Sequence, residues 1–478
     1  MAAYASSPTP DLAAQEQRVS LPRGRRGSEL AMLAFAIALM AFAWVAAGLG
    51  LSGEIPSGTL TYVGGFAVLM LCAHGAVRWL APWADPLLVP LAAALNGLGI
   101  VFIYRLQESG RGSNPGYLIG TLTTHAALYQ LMWTALGIVS FAVVLFAVRE
   151  PRTVQRYAYT LGTIGLVLLA IPAALPASHS AAPGTTTKIW IIFGGFSIQP
   201  GEFARILLAV FFAAYLVGKR DVLSLAGRRF LGLDLPRARD LGPVLVVWAV
   251  SLLILMAESD IGTSAVFFGL FVAMLYVATQ RTSWVLIGLV LFIGGAAVTA
   301  KIFAHVAARI TLWLHPFAAN AISTQLAQGM EGMSFGGLLG TGLGHGMPYF
   351  TPLVQSDFVL TGFGEELGLT GLMALLIIYG LLVQRGLRAA VTVRDPFAKL
   401  LAAGLAFTLA LQVFIITGGV TQLIPLTGIT TPFLSQGGSS LVASWIVIAV
   451  LIRVSDTARR PAPQPIQDEG MTQVVRAG

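Results

Sequence analysis

One cysteine, Cys72, in 478 residues excludes an internal disulfide, so any loop outside the membrane must be held by packing alone. Charge is scarce too: Asp, Glu, Lys and Arg make up 10% of the chain, against about 25% in a soluble domain. Histidine is rare, and His305, His315 and His345 share one segment without metal-ligand spacing, which argues against a histidine-built metal site. Cys72 lies inside an apolar run and reads as a small buried hydrophobe.

What is there is hydrophobic: 56% of the residues, in runs that recur from Leu30 nearly to the C-terminus. A bilayer-crossing helix needs about 20 apolar residues, and no soluble domain fits between the runs. The chain therefore predicts an all-α, polytopic transmembrane bundle. Twelve spans are expected, at roughly 29–51, 58–80, 86–104, 129–149, 157–174, 200–218, 241–257, 261–279, 283–303, 358–384, 397–418 and 439–455. Residues 1–28 and 456–478 are polar and read as disordered tails, and the first is no cleavable signal because the run behind it is too long.

Basic residues orient the bundle, because Lys and Arg in short loops stay on the cytoplasmic side. With both termini inside, 23 of the 29 Lys and Arg fall on that side. The net charge of +8 then follows from topology and anionic inner-leaflet lipid, and no nucleic-acid partner is needed. The long loops lie outside, the largest at 304–357.

Four polar clusters share that outer side. In "AESDIGTS", Asp260, Thr263 and Ser264 occupy one helical face at i, i+3 and i+4. A helix cap explains Asp260 but leaves Glu258 unused, while a carboxylate at membrane depth is a functional candidate by default. The residues leave cap and catalyst open. In "TTTKIWIIFGGFSIQPGEFARI", Lys188 precedes a Trp and Pro200 opens a helix. Arg205, early in that span, needs a partner, which Glu202 at i−3 supplies. The segment "SFGGLLGTGLGHGMPYF…QSDFVLTGFGEELGLTG" carries Asp357, Glu365 and Glu366 beside glycines, with no strand that would make them a nucleotide fingerprint. Finally, "LIPLTGITTPFLSQGGSS" reads as an ordered loop at membrane depth, whose backbone amides suit a diphosphate.

The order and spacing of "IQPGEFARI", "SDIGTS", "GGLLGTGLGHG", "SDFVLTGFGEELGLTG" and "LIPLTGITTPFLSQGGSS" resemble the SEDS family (shape, elongation, division and sporulation), which includes RodA, FtsW and SpoVE, over residues 86–455. The family core has ten spans. Residues 29–80 thus look like two added N-terminal helices on a core at 81–455, as in the actinobacterial RodA-like branch. Gly201 and Arg205 stand where Ser and Lys are usual, and Gln436 where a Tyr is.

The resemblance implies a peptidoglycan glycosyltransferase that polymerises lipid II at the outer face of the cytoplasmic membrane, beside a class B penicillin-binding protein. It implies Asp260 as the catalytic carboxylate. Lys188, Glu202, Arg205, Thr263, Ser264, Arg309, Gln328, Asp357, Glu366, Ser435, Gly437, Gly438 and Ser439 are the candidate substrate contacts. A divalent cation, Mg or Mn, is a candidate cofactor for the leaving diphosphate. The rival reading, a lipid II flippase or other lipid-linked transporter, predicts midplane polar groups and repeated halves. The acids cluster instead at one face. A scaffold for the transpeptidase is a third possibility.

Overall fold

The computed structural model describes residues 26–110, 125–181, 187–193, 196–219, 228–230, 233–235, 238–257, 260–317 and 321–461. Each expected apolar run is a helix, which satisfies its own backbone where no water can. The long helices are α1 (Arg26–Ser52), α2 (Gly65–Leu80, entered through a π turn at Leu60–Gly64), α3 (Leu88–Gly110), α4 (Ala126–Ala147), α6 (Ala158–Ala174) and α8 (Pro200–Gly218). They continue as α9 (Ala238–Ala257), α10 (Ile261–Thr279), α11 (Ser283–Ile302), α14 (Val359–Thr392), α15 (Pro396–Val420) and α16 (Gly438–Arg459). Between them lie the short α5 (Pro151–Arg156) and α7 (Ala177–Ser180), with α12 (Ala304–Leu314) and α13 (Ala321–Gly336) in the long loop. Two small antiparallel hairpins pair β1 (Ile191–Phe193) with β2 (Phe196–Ile198) and β3 (Arg228–Phe230) with β4 (Leu233–Leu235). Ten helices among the described residues are long and apolar enough to cross a membrane; α6, with 17 residues, and the apolar part of α9, Leu245–Ile254, are shorter. This is a polytopic helical membrane protein.

Helix starts follow local chemistry. Pro200 opens α8 and Pro396 opens α15, where a missing N–H costs nothing, and Asp395 caps α15 by accepting the Ala398 amide at 3.0 Å.

Helix α1 packs along α3, α4 along α16, α6 along α8, and α14 along α15. Burial separates the interior from the rim: 83% of the apolar stretch of α3 and of α16 is buried, against 6% for α11. Some polar groups inside the bundle pair across helices. Asn96 on α3 donates to Thr134 on α4 at 3.1 Å and accepts the Trp445 indole of α16 at 3.0 Å. At Gly137 a methyl group would stand 2.7 Å from the Trp445 ring, so only glycine allows α4 that close.

The end of the bundle where α1 begins and α16 ends is locked by ions, and two expectations change there. The tails were expected at 1–28 and from Asp456, but helix begins at Arg26 and continues to Arg459. The reason is pairing. Arg26 donates to the Ala81 carbonyl at 2.6 Å and pairs with Glu29, itself 2.9 Å from His74. Asp456, fully buried, accepts the Trp83 amide at 2.8 Å and pairs with Arg460, while Asp85 pairs with Arg459. Residues 1–25 and 462–478 lie outside the described residues.

The expected loop at 304–357 is also more ordered than a loop. Its helix α13 lies against α14 because glycines permit it: a methyl group on Gly336 would fall 2.1 Å from the Gly364 carbonyl. Helix α14 breaks at Gly368 (φ 68°, ψ −172°), and the segment 337–342 docks into the break. There Thr341 N–H donates to Glu365 at 3.0 Å and Gly342 N–H to Glu366 at 2.9 Å, while Leu369 N–H donates to Gly337 at 2.9 Å.

Candidate active site at the start of helix α10

Asp260 is the N-cap of α10. Its Oδ1 accepts the Thr263 amide at 2.9 Å, and the Ser264 hydroxyl donates to the Asp260 carbonyl at 2.6 Å. The i, i+3, i+4 grouping in the sequence is therefore a capping arrangement, and it holds one buried carboxylate at the mouth of a helix. Glu258 lies outside the described residues.

Two other segments come to Asp260. Helix α12 brings Arg309, whose guanidinium donates to the Leu426 carbonyl at 3.0 Å. The turn before α14 brings Asp357. They meet at Gly428 (φ +78°), where a methyl group would lie 3.4 Å from Asp357 Oδ2 and 3.5 Å from Arg309 Nη2. Next to it, Ile429 packs over Gly262, with space for no side chain between them: a methyl group there would be 2.3 Å from Ile429 Cγ2.

Electrostatics tie the three groups together. Burial pushes the Asp260 carboxyl above the usual aspartate range, and Thr263's hydrogen bonds and the Arg309 charge offset this only in part. Burial likewise raises Asp357, against the Ser356 hydrogen bond and Arg309, with Asp260 adding to the rise. Arg309 is lowered by burial, opposed by the attraction of both acids. One cation thus serves two carboxyls whose ionised forms are costly.

Asp260 also lines a cavity of about 360 Å³ between α9, α10 and α11. Its walls are otherwise mostly apolar, with Trp248, Met256, Phe268, Phe292 and Phe303 among them and the Ser264 hydroxyl beside Asp260. Because α11 is almost wholly exposed, this cavity stands at the rim of the bundle.

Behind the acids, a hydrogen-bonded chain fixes the 427–436 loop. Glu202 pairs with Arg205 at 2.7 Å, Arg205 donates to Gln412 at 2.9 Å, and Gln412 donates to the Thr430 carbonyl at 3.0 Å. Ser435 accepts the Thr431 amide at 2.8 Å and donates to the Ser356 carbonyl at 2.6 Å, next to Asp357. Glu202, Arg205 and Ser435 are thereby built into the support of the site. Ser439 accepts the Gln199 amide at 2.9 Å, Gly437 is the N-cap of α16, and Gly438 packs against the Trp133 ring. Lys188 donates to the Leu175 carbonyl at 3.3 Å, a contact within its own loop. Gln328 on α13 buries its Oε1 without a hydrogen-bond partner.

Glu366 pairs with Arg105 of α3, a residue the sequence reading did not select. An arginine inside an apolar run needs a partner, and that signal alone could have marked it. Gln412 carried no such signal.

No group of three or more His, Cys, Asp or Glu that could hold a metal ion occurs among the described residues. Magnesium seldom needs one: it binds through one or two carboxylates plus substrate phosphates. Asp357, half-buried and beside Arg309, fits that mode.

The family model of the FtsW, RodA and SpoVE cell cycle proteins matches residues 86–460. The peptidoglycan glycosyltransferase RodA of Mycobacterium tuberculosis is 46% identical over 442 residues, covering 91% of this chain and 92% of its own. The protein of that name from Mycobacterium leprae is 45% identical over 454 residues, with the same coverage. A chain from a solved peptidoglycan synthase complex superposes with a TM-score of 0.61 at 23% identity, over 79% of this chain and 99% of that one, which is a likeness of fold. With the family's motifs in order and its model matched from the start of α3 to the end of α16, the chain belongs to the FtsW/RodA/SpoVE family of cell cycle proteins.

Proposed function

We propose that this chain is a peptidoglycan glycosyltransferase that polymerises lipid II at the outer face of the cytoplasmic membrane. The observation that carries the reading is the buried Asp260 carboxylate, with Arg309 as a neighbouring charge, at the end of an apolar cavity. The relatives' shared name and the distribution of basic residues, which puts the Asp260 end outside, support it.

In this reading Asp260 takes the proton from the 4-hydroxyl of the acceptor's GlcNAc as that oxygen attacks C1 of the donor's MurNAc. The C1–O bond to undecaprenyl diphosphate breaks, and the diphosphate leaves with the bond's electrons. A raised carboxyl is the stronger base for this task. Arg309 stabilises the charge growing on the leaving group. Mg or Mn, held by Asp357 together with the diphosphate, would add charge compensation there. The cavity between α9, α10 and α11 suits a polyprenyl chain, since apolar walls at the bundle rim let a lipid enter from the side. The chain works beside a class B penicillin-binding protein that crosslinks the strands.

The test is reconstitution of the purified protein in liposomes with lipid II, followed by gel separation of glycan strands. Strands from wild type and none from Asp260→Asn are expected. Movement of lipid II across the bilayer without strands would favour the flippase instead.

A further inference from the structure

Helices α1 and α2 precede the segment matched by the family model, yet α1 reaches the glycine-rich loop at the site end of the bundle. Its Gly50 touches the loop backbone so closely that a methyl group would stand 2.2 Å from the Leu343 carbonyl. From the other side, a methyl group on Gly344 (φ +88°) would stand 2.8 Å from the Ala47 carbonyl and 3.0 Å from Gly50 Cα. Backbone meets backbone here, and neither side can yield as a flexible side chain would.

The contact closes a circuit. Gly344 N–H donates to Glu366 at 3.2 Å, and Glu366 pairs with Arg105 on α3. The residue before it, Tyr104, stacks on Trp44 of α1 with ring centroids 4.0 Å apart, and Tyr62 also stacks on Trp44, at 4.6 Å. Thus α1 holds both the loop and the helix whose arginine grips that loop. Thirteen positions after Gly344 the same loop delivers Asp357 to Arg309.

We infer that the added N-terminal helix α1 is a clamp that positions the 337–357 loop, and through it Asp357, for the reaction proposed above. Gly50 is the positioning residue. A cation or diphosphate held by Asp357 needs the loop at a fixed distance from Asp260, and displacement by about 1 Å at such a centre costs on the order of a hundredfold in rate.

The full chain in liposomes, in a Cys72→Ser background, carries Gly50→Ala or Gly50→Val, with Phe42→Val, exposed on the same helix, as control. Two readouts are taken: kcat and KM for lipid II, and the labelling rate of Leu343→Cys, made in the same background, by a membrane-impermeant maleimide. The expected result is a loss of kcat of roughly tenfold or more with KM held within about twofold, together with faster labelling. The Ala variant is the milder change, so a Val variant that fails to fold still leaves a protein to measure. Unchanged labelling, or unchanged kcat with faster labelling, overturns the inference. If wild type makes no glycan, the proposed reaction fails, while labelling still decides whether α1 holds the loop.

Discussion

Asp260 accepts the amide of Thr263 at 2.9 Å, so the carboxylate that faces the cavity is the same group that starts α10. Helix cap and catalytic base are compatible roles: the capping bond uses Oδ1 and fixes the orientation of the group.

That double role separates two substitutions. Asn is as good an N-cap as Asp, whereas Ala gives up about 1 kcal/mol. Asp260→Asn should therefore keep the thermal midpoint of wild type and lose roughly 10²- to 10⁴-fold in polymerisation, while Asp260→Ala loses activity and stability together. Differential scanning fluorimetry beside the lipid II assay checks both.

The acid limb of the pH profile follows from the raised Asp260 carboxyl. The proposed base acts in its ionised form, so activity should rise with pH through a midpoint above the ordinary aspartate range. Arg309 pulls that midpoint down, so Arg309→Gln should move the limb to higher pH and Arg309→Lys should move it little. A limb that stays in place in Arg309→Gln would count against the charge coupling.

Gly428→Ala tests the meeting point of Arg309 and Asp357. The backbone there is left-handed at φ +78°, which costs a residue with a β-carbon roughly 1–2 kcal/mol. The added methyl would also lie in van der Waals contact with both side chains, at 3.4 Å from Asp357 Oδ2 and 3.5 Å from Arg309 Nη2. A drop in kcat is expected, with a rise in the Mg concentration needed for half-maximal rate; an unchanged Mg dependence would argue against Asp357 as the metal-side ligand.

Breaking the Arg105–Glu366 pair should cost stability first. Both side chains are buried, and an uncompensated buried charge costs about 3–5 kcal/mol. Arg105→Met should lower the thermal midpoint sharply, and Arg105→Met with Glu366→Gln should recover part of it. No recovery in the double variant would mean that the loop contacts, and not the charge, set the loss.

Much of the fold was legible because membrane helices leave few options: an apolar run of spanning length must satisfy its own backbone, and the helices found differ from the expected ones mainly at their ends. The ends differ where side chains pair, as at Arg26 and Asp456. The ordering of 304–357 was not legible, since it depends on glycines in α13 meeting the backbone of α14.

The site divides the same way. Sequence alone offered Asp260 as a helix cap beside its reading as a catalyst, and Glu202 as the partner of Arg205 one turn on, because these are local geometries fixed by helical spacing. Tertiary structure decided that Arg309 and Asp357 meet at Gly428 within electrostatic reach of Asp260, that Gln412 links Arg205 to the loop beneath it, and that Arg105 finds Glu366 across 261 positions. Partners so far apart in the chain leave no periodic trace in it, and the cost of a lone buried charge says only that a partner must exist, not which one.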